Sequence, residues 1–181
     1  LSVKKGGIEY LGSLMLICLS GIMLLYGIAV KEIRLYQHMV KDSLDTSCLA
    51  ATLADMDRYA DERVLIMDDY YELRDIFCRN LICNMNLDNN YMPVYDAIFD
   101  RVKIHEFNVY YFYNGKMYAY TGSDNGTYDL NITTVTGNEK TPDGTPIESG
   151  TVYADIGMNV CTYFGIEEYV HVTSVSDIVA D

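Results

Sequence analysis

From Leu11 to Val30 the chain carries no charged residue. A helix rises about 1.5 Å per residue, so this run reaches about 30 Å, the thickness of a bilayer's hydrocarbon core. Lys4 and Lys5 precede it, Lys31 and Arg34 follow it, and one acid, Glu9, stands at its threshold. A cleavable secretory signal has a shorter apolar core, about 7–15 residues, with a small-residue site behind it. Here the run leads straight into Lys31-Glu32-Ile33-Arg34. The expectation is an uncleaved single span, with Lys4 and Lys5 inside and the rest of the chain outside the cytoplasm.

With 181 residues, there is room for that helix and one modest domain. The chain holds 13 basic and 26 acidic residues, and only Lys4, Lys5 and Glu9 of these come before Lys31. The distal part is therefore strongly acidic. That excludes a nucleic-acid partner, which needs clustered Lys and Arg, and it disfavours docking on anionic headgroups.

The helix should not stop at the membrane. Ile33, Tyr36, Val40, Leu44, Cys48 and Ala51 recur at spacings of three and four, the signature of one helical stripe. No Pro or Gly intervenes from Ile28 to Met56. One helix from about Leu11 to about Met56 is predicted, apolar all round in its first half and amphipathic in its second. An exit loop and a short extended segment follow over 58–67. Asp69-Tyr70-Tyr71-Glu72 has the form of an N-cap with an acid three residues on. Leu73, Ile76, Phe77 and Leu81 extend it into a second amphipathic helix ending near Met85.

Beyond Pro93 the period changes to two. Phe107, Val109, Tyr111 and Tyr113 alternate, and Asn114-Gly115 is a strong hairpin signal. Met117–Thr121 reads as the return strand, Gly122–Gly126 as a second turn, and Tyr128, Leu130 and Ile132 as a third strand. Gly137–Gly150 is a turn-rich polar loop. Val152 to Met158 and Tyr169 to Ile178 supply two more strands. The expected fold class is α+β: a long N-terminal transmembrane and stalk helix, then a helix packed on a mainly antiparallel sheet of four or five strands. Residues 1–32 form the N-terminal signal and membrane helix, 33–57 its amphipathic continuation, and 58–181 the head.

The sequence offers no catalytic constellation. It lacks a phosphate loop, GxSxG, HExxH and calcium-loop spacing. The acidic pairs read as solvated surface. His38, His105 and His171 are scattered and no CxxC occurs, so neither a metal nor a cofactor is expected. Cys18 lies in the span. Cys48, Cys78, Cys83 and Cys161 are possible disulfide partners, with Cys48–Cys161 or four free thiols preferred. The 17 Tyr are read as ordinary sheet packing, with a Tyr-rich contact surface as the sharper alternative.

Lys4-Lys5-Gly6-Gly7-Ile8-Glu9-Tyr10, a charge-free span, a long amphipathic continuation and a small αβ head together resemble the pilin and pseudopilin superfamily. The resemblance is closest to the tight-adherence (Tad; Flp/TadE-like) pilins, whose Glu-Tyr dipeptide matches Glu9-Tyr10. It implies cleavage by a prepilin peptidase on the inner face. It also implies pairing of Glu9 with a neighbour's N-terminal amine, and helices packed into a filament core. Lys4, Lys5, Gly6, Gly7, Glu9 and Tyr10 would then serve processing and assembly. In that family the cleavage Gly stands five residues before the Glu; here Lys4 holds that place and the glycines are at 6 and 7. The implied partners are copies of the chain or other pilin subunits, the membrane and the assembly machinery. The head is larger than that of a major Flp pilin, which points to a pseudopilin or minor subunit. The alternative is a single-pass, membrane-anchored extracytoplasmic binding domain.

Overall fold

In the computed structural model, the charge-free run and its continuation form one helix, α1 (Val3–Thr52). The structure describes residues 3–53, 67–95, 97–123, 126–135, 137–147, 150–162 and 165–178, with side chains from Glu9 onward. The predicted exit segment at 58–67 falls outside this set, apart from Met67. α1 begins eight residues before the expected start and runs through Gly6 and Gly7. Once a helix is nucleated, each added residue gains a hydrogen bond, so its end can cross two glycines.

The head comprises α2 (Tyr70–Met85) and five strands: β1 (Lys103–Tyr113), β2 (Lys116–Ser123), β3 (Tyr128–Thr134), β4 (Gly150–Cys161) and β5 (Glu167–Ile178). All pairings are antiparallel, in the order β3-β2-β1-β4-β5. The α+β class holds, but the sheet is not a simple meander. After two hairpins the chain returns to the far side of β1. That strand is buried along most of its length, so it needs a neighbour on each edge.

Local signals explain the elements. Asp69 caps α2 by accepting a hydrogen bond from Glu72 N at 3.0 Å. Asn86 ends the helix in the left-handed region, φ 53°, and its N–H returns to Cys83 O. We expect Asp69→Ala to cost about 1 kcal/mol, lowering the melting temperature by about 2–4 °C. A melt followed by circular dichroism checks this. The β1–β2 turn uses Asn114 and Gly115 at φ 50° and 72°, the conformation a two-residue hairpin loop requires.

α1 and α2 cover one face of the sheet. Ile33, Val40, Leu44, Cys48 and Ala51 are buried there, against Phe77 and Leu81 of α2 and the inward residues of β1, β4 and β5. Tyr36, the remaining stripe residue, is half-buried. Polar bonds set the helix register on β5. Lys41 Nζ donates to Asp45 at 2.6 Å and to Thr173 O at 2.8 Å. Ser174 Oγ donates to Asp45 at 2.6 Å, and Thr52 Oγ1 to Ser176 at 3.2 Å. α1 and β5 therefore run in the same direction.

The tyrosines build much of this interface. Tyr70 packs its ring against Tyr71, Phe107, Tyr120 and Tyr128, at centroid distances of 4.6–6.1 Å. Tyr111 stacks on Tyr118 at 4.8 Å. Gly122 is not a turn residue as predicted. It belongs to β2 opposite Phe107, and the Tyr70 ring lies over it. The loop predicted at 137–150 is ordered across its described part. Thr141 N bonds Thr145 O at 2.9 Å, Ile147 N bonds Glu139 O at 3.0 Å, and the Asp143 carboxylate accepts from Thr141 and Thr145. These bonds hold the Asp143 carboxyl below its usual range. Ile147 from this loop joins Tyr110, Ala119 and Tyr153 in a small apolar cluster on the other face of the sheet.

Candidate functional site

The first half of α1 leaves the fold. Tyr10 is 79% exposed, Leu16 68% and Tyr26 62%, and large apolar side chains stay exposed as far as Ile28. Burial begins at Ala29 and Ile33. The exposed part extends about 28 Å and is apolar on every side. It is the one helix among the described residues that is long and apolar enough to cross a membrane. Its serine hydroxyls need no water. Ser13 Oγ donates to Glu9 O and Ser20 Oγ to Ile17 O, each at 2.9 Å. This back-bonding satisfies the hydroxyls within the helix, and every interior backbone group is satisfied by the helix itself.

Glu9 is exposed at the start of this segment, and Tyr10 follows it. Lys4, Lys5, Gly6 and Gly7 lie on the helical backbone just before it. With about 100° turned per residue, Glu9, Ser13, Ser20 and Gly27 fall within about 40° of one another. Leu16 falls on the same side of the helix, between Ser13 and Ser20, so the line mixes small side chains with one large one. A Cβ added at Gly27 would meet nothing within 4 Å. Small residues let a second helix backbone come close.

The five cysteines are all free thiols in the structure. The preferred Cys48–Cys161 pairing is a correction. Cys48 lies beside Ser174, which pairs with Ala154 in the sheet. Cys161 is seven residues further along β4, on the order of 23 Å away. A disulfide requires Cα atoms within about 7 Å. Cys78 and Cys83 share an unbroken helix, with Cys78 buried and Cys83 exposed. Burial pushes the Cys48 thiol up to about 12, and it raises Cys78 as well. We therefore expect iodoacetamide at mildly alkaline pH to label Cys83 and Cys161 in the folded protein and to spare Cys48 and Cys78. Mass spectrometry of the alkylated protein reads this. Labelling of Cys48 as fast as Cys83 would mean that α1 does not stay packed on β5.

Two histidines that look scattered in sequence come together. His105 Nε2 lies 2.8 Å from the Tyr169 hydroxyl, and the His105 and His171 rings stack at 5.0 Å. Gly157 of β4 makes room for them. A Cβ there would sit 2.4 Å from Tyr169 Oη and 2.6 Å from His105 Nε2. His171 Nδ1 is 3.4 Å from Asp155. Among the described residues, no three His, Cys, Asp or Glu converge as a metal site would require.

Comparison of the chain with protein-family models, with curated proteins and with solved structures finds no match.

Proposed function

We propose that the chain is a pilin-like structural subunit, a pseudopilin or minor pilin. It would assemble through the apolar half of α1 into a cell-surface filament or secretion apparatus. The observation that carries this reading is the division of α1. One uninterrupted helix is built into the head's core over its second half, while its charge-free run leaves large apolar side chains uncovered from Leu11 to Ile28.

Such a segment must be covered, and two coverings suit it. Lipid covers it while the subunit waits in the membrane as a single-pass protein with its head outside the cytoplasm. Like helices cover it once subunits assemble. Glu9 and the small residues on its side of the helix favour the second covering as the working state. A carboxylate drawn into an apolar interior is costly without a partner, and a bundle would supply one through a neighbour's amine or Lys5. The anchored binding domain, by contrast, needs lipid alone and has no use for Glu9.

Immunogold labelling with an antibody to the head, on unfixed cells of the native source, tests the reading. Gold along thin surface filaments is the expected result. Gold spread evenly over the envelope, with no filament labelled, would favour the anchored binding domain.

A further inference from the structure

One corner of the head runs against the charge of the chain. Acidic residues outnumber basic ones 26 to 13. Yet Arg74, Arg101 and Lys103 all line one cavity of about 230 Å³, with Tyr91 and His105 in its wall. The fold creates the opening. β1 starts at Lys103, but its register with β2 starts only at Glu106. Lys103 and Ile104 thus pair with β4 on one side and leave an open sheet edge on the other. Val102 and Ile104 are buried in the core, so the alternation of an extended segment turns Arg101 and Lys103 outward. α2 brings Arg74 from above. The loop after α2 brings Tyr91, whose carbonyl accepts from Val102 N at 3.0 Å and ties that loop to the strand.

Among the described residues these cations are not locked in salt bridges, although Asp88 is close enough to Arg101 to feel its charge and the Arg74 guanidinium lies against the Tyr70 hydroxyl. Among the described residues, no carboxylate forms an ion pair with any of the three, and the nearby Asp75 is taken by Arg79 at 2.8 Å. Arg74 Nε is buried and has no hydrogen-bond partner there. Buried donors are rarely left unmade, because desolvation without an acceptor is costly. His105 is already held by Tyr169, so it shapes the wall.

We propose that this cavity binds a phosphate-type dianion. Two guanidinium forks and one ammonium supply three positive charges and directional N–H donors suited to a tetrahedral oxyanion. A carboxylate would use one fork and leave the other charges unmatched. The acidity of the rest of the chain does not cancel this field. At physiological ionic strength, exposed charges more than about 8 Å away are largely screened. Free phosphate, a small phosphate monoester and the headgroup of phosphatidic acid all present this chemistry. β1 is parallel in sense to β5, and hence to α1, so Arg101 and Lys103 sit at the end of the head nearest the apolar half of α1. A lipid headgroup is therefore a source to be distinguished from a soluble anion.

The test uses the full chain in phosphatidylcholine nanodiscs, titrated calorimetrically at neutral pH with inorganic phosphate and, separately, with acetate. Saturable phosphate binding and no saturable acetate binding are expected. Arg101→Gln with Lys103→Gln should weaken phosphate binding by at least about tenfold. Arg74→Lys, which keeps the charge but loses the fork, should weaken it as well. Arg79→Gln should leave it unchanged. Both residues of the double variant are exposed, and an unchanged melting profile will show that the fold is kept. Nanodiscs with a minority of phosphatidic acid separate the sources. A lowered apparent phosphate affinity identifies the headgroup as a competitor for the site, and an unchanged one identifies a soluble anion. The proposal is overturned by the absence of saturable phosphate binding at millimolar concentrations, by equal affinity in the double variant and wild type, or by acetate binding as well as phosphate does.

Discussion

Gly122→Ala is expected to destabilise the head by about 3–5 kcal/mol, the sum of overpacking and a broken buried hydrogen bond. For a chain of this size the melting temperature should fall by about 6–20 °C. The added methyl would lie 1.7 Å from Tyr70 Oη, 2.7 Å from Tyr70 Cζ and 2.8 Å from the Phe107 carbonyl oxygen. The carbonyl is part of β1 and cannot give way. Tyr70 is 1% exposed, is boxed in by four aromatic rings, and donates to that same carbonyl at 3.1 Å. The ring must therefore leave its place, losing the bond and opening the contact between α2 and the sheet. Adding Tyr70→Phe removes the nearest atom of the clash. The double variant should be more stable than the sum of the two single changes implies. Thermal denaturation of the four proteins checks this. A Gly122→Ala melt within about 2 °C of wild type would mean that Tyr70 does not sit over β2.

That glycine also marks where sequence reading stops. Periodicity together with cap and turn signals announces α1, α2 and the strands, because each is set by neighbours a few residues away. Asp69 and Asn114-Gly115 act within a few residues and are equally plain. Gly122 reads as a turn beside Gly126 because its reason, the Tyr70 ring, lies far away in sequence. His105 and His171 look unrelated for the same cause. They meet only because β1 and β5 both flank β4 over Gly157. The cavity walled by Arg74, Arg101 and Lys103 is likewise a product of where β2 ends. The Cys48–Cys161 pairing fails on strand register, which spacing along the chain does not encode. In contrast, the exposed half of α1 is legible from Leu11 onward, since no described residue of the head buries it.

The second large effect concerns assembly. In a bundle of α1 helices, Glu9 enters an apolar interior, where a lone carboxylate costs several kcal/mol, on the order of what breaking a buried pair costs. In the proposed assembly a neighbouring chain's amine or Lys5 would offset that cost, and only at one axial offset. The pairing would therefore set the stagger of subunits as well as their affinity. Glu9→Leu removes the charge and the offset signal together. It leaves the charge-free run and the head untouched, so insertion and melting temperature should stay as in wild type. Filament yield should fall to near background. Val3→Ala, outside the pairing, should be silent.

The most direct measurement is the ratio of protein in the sheared surface fraction to protein retained in the membrane, for wild type and Glu9→Leu side by side in the native source. Assembly through α1 requires a substantial sheared fraction for wild type and nearly none for Glu9→Leu, with equal total protein. Equal ratios for the two would contradict it and leave α1 as a lipid anchor.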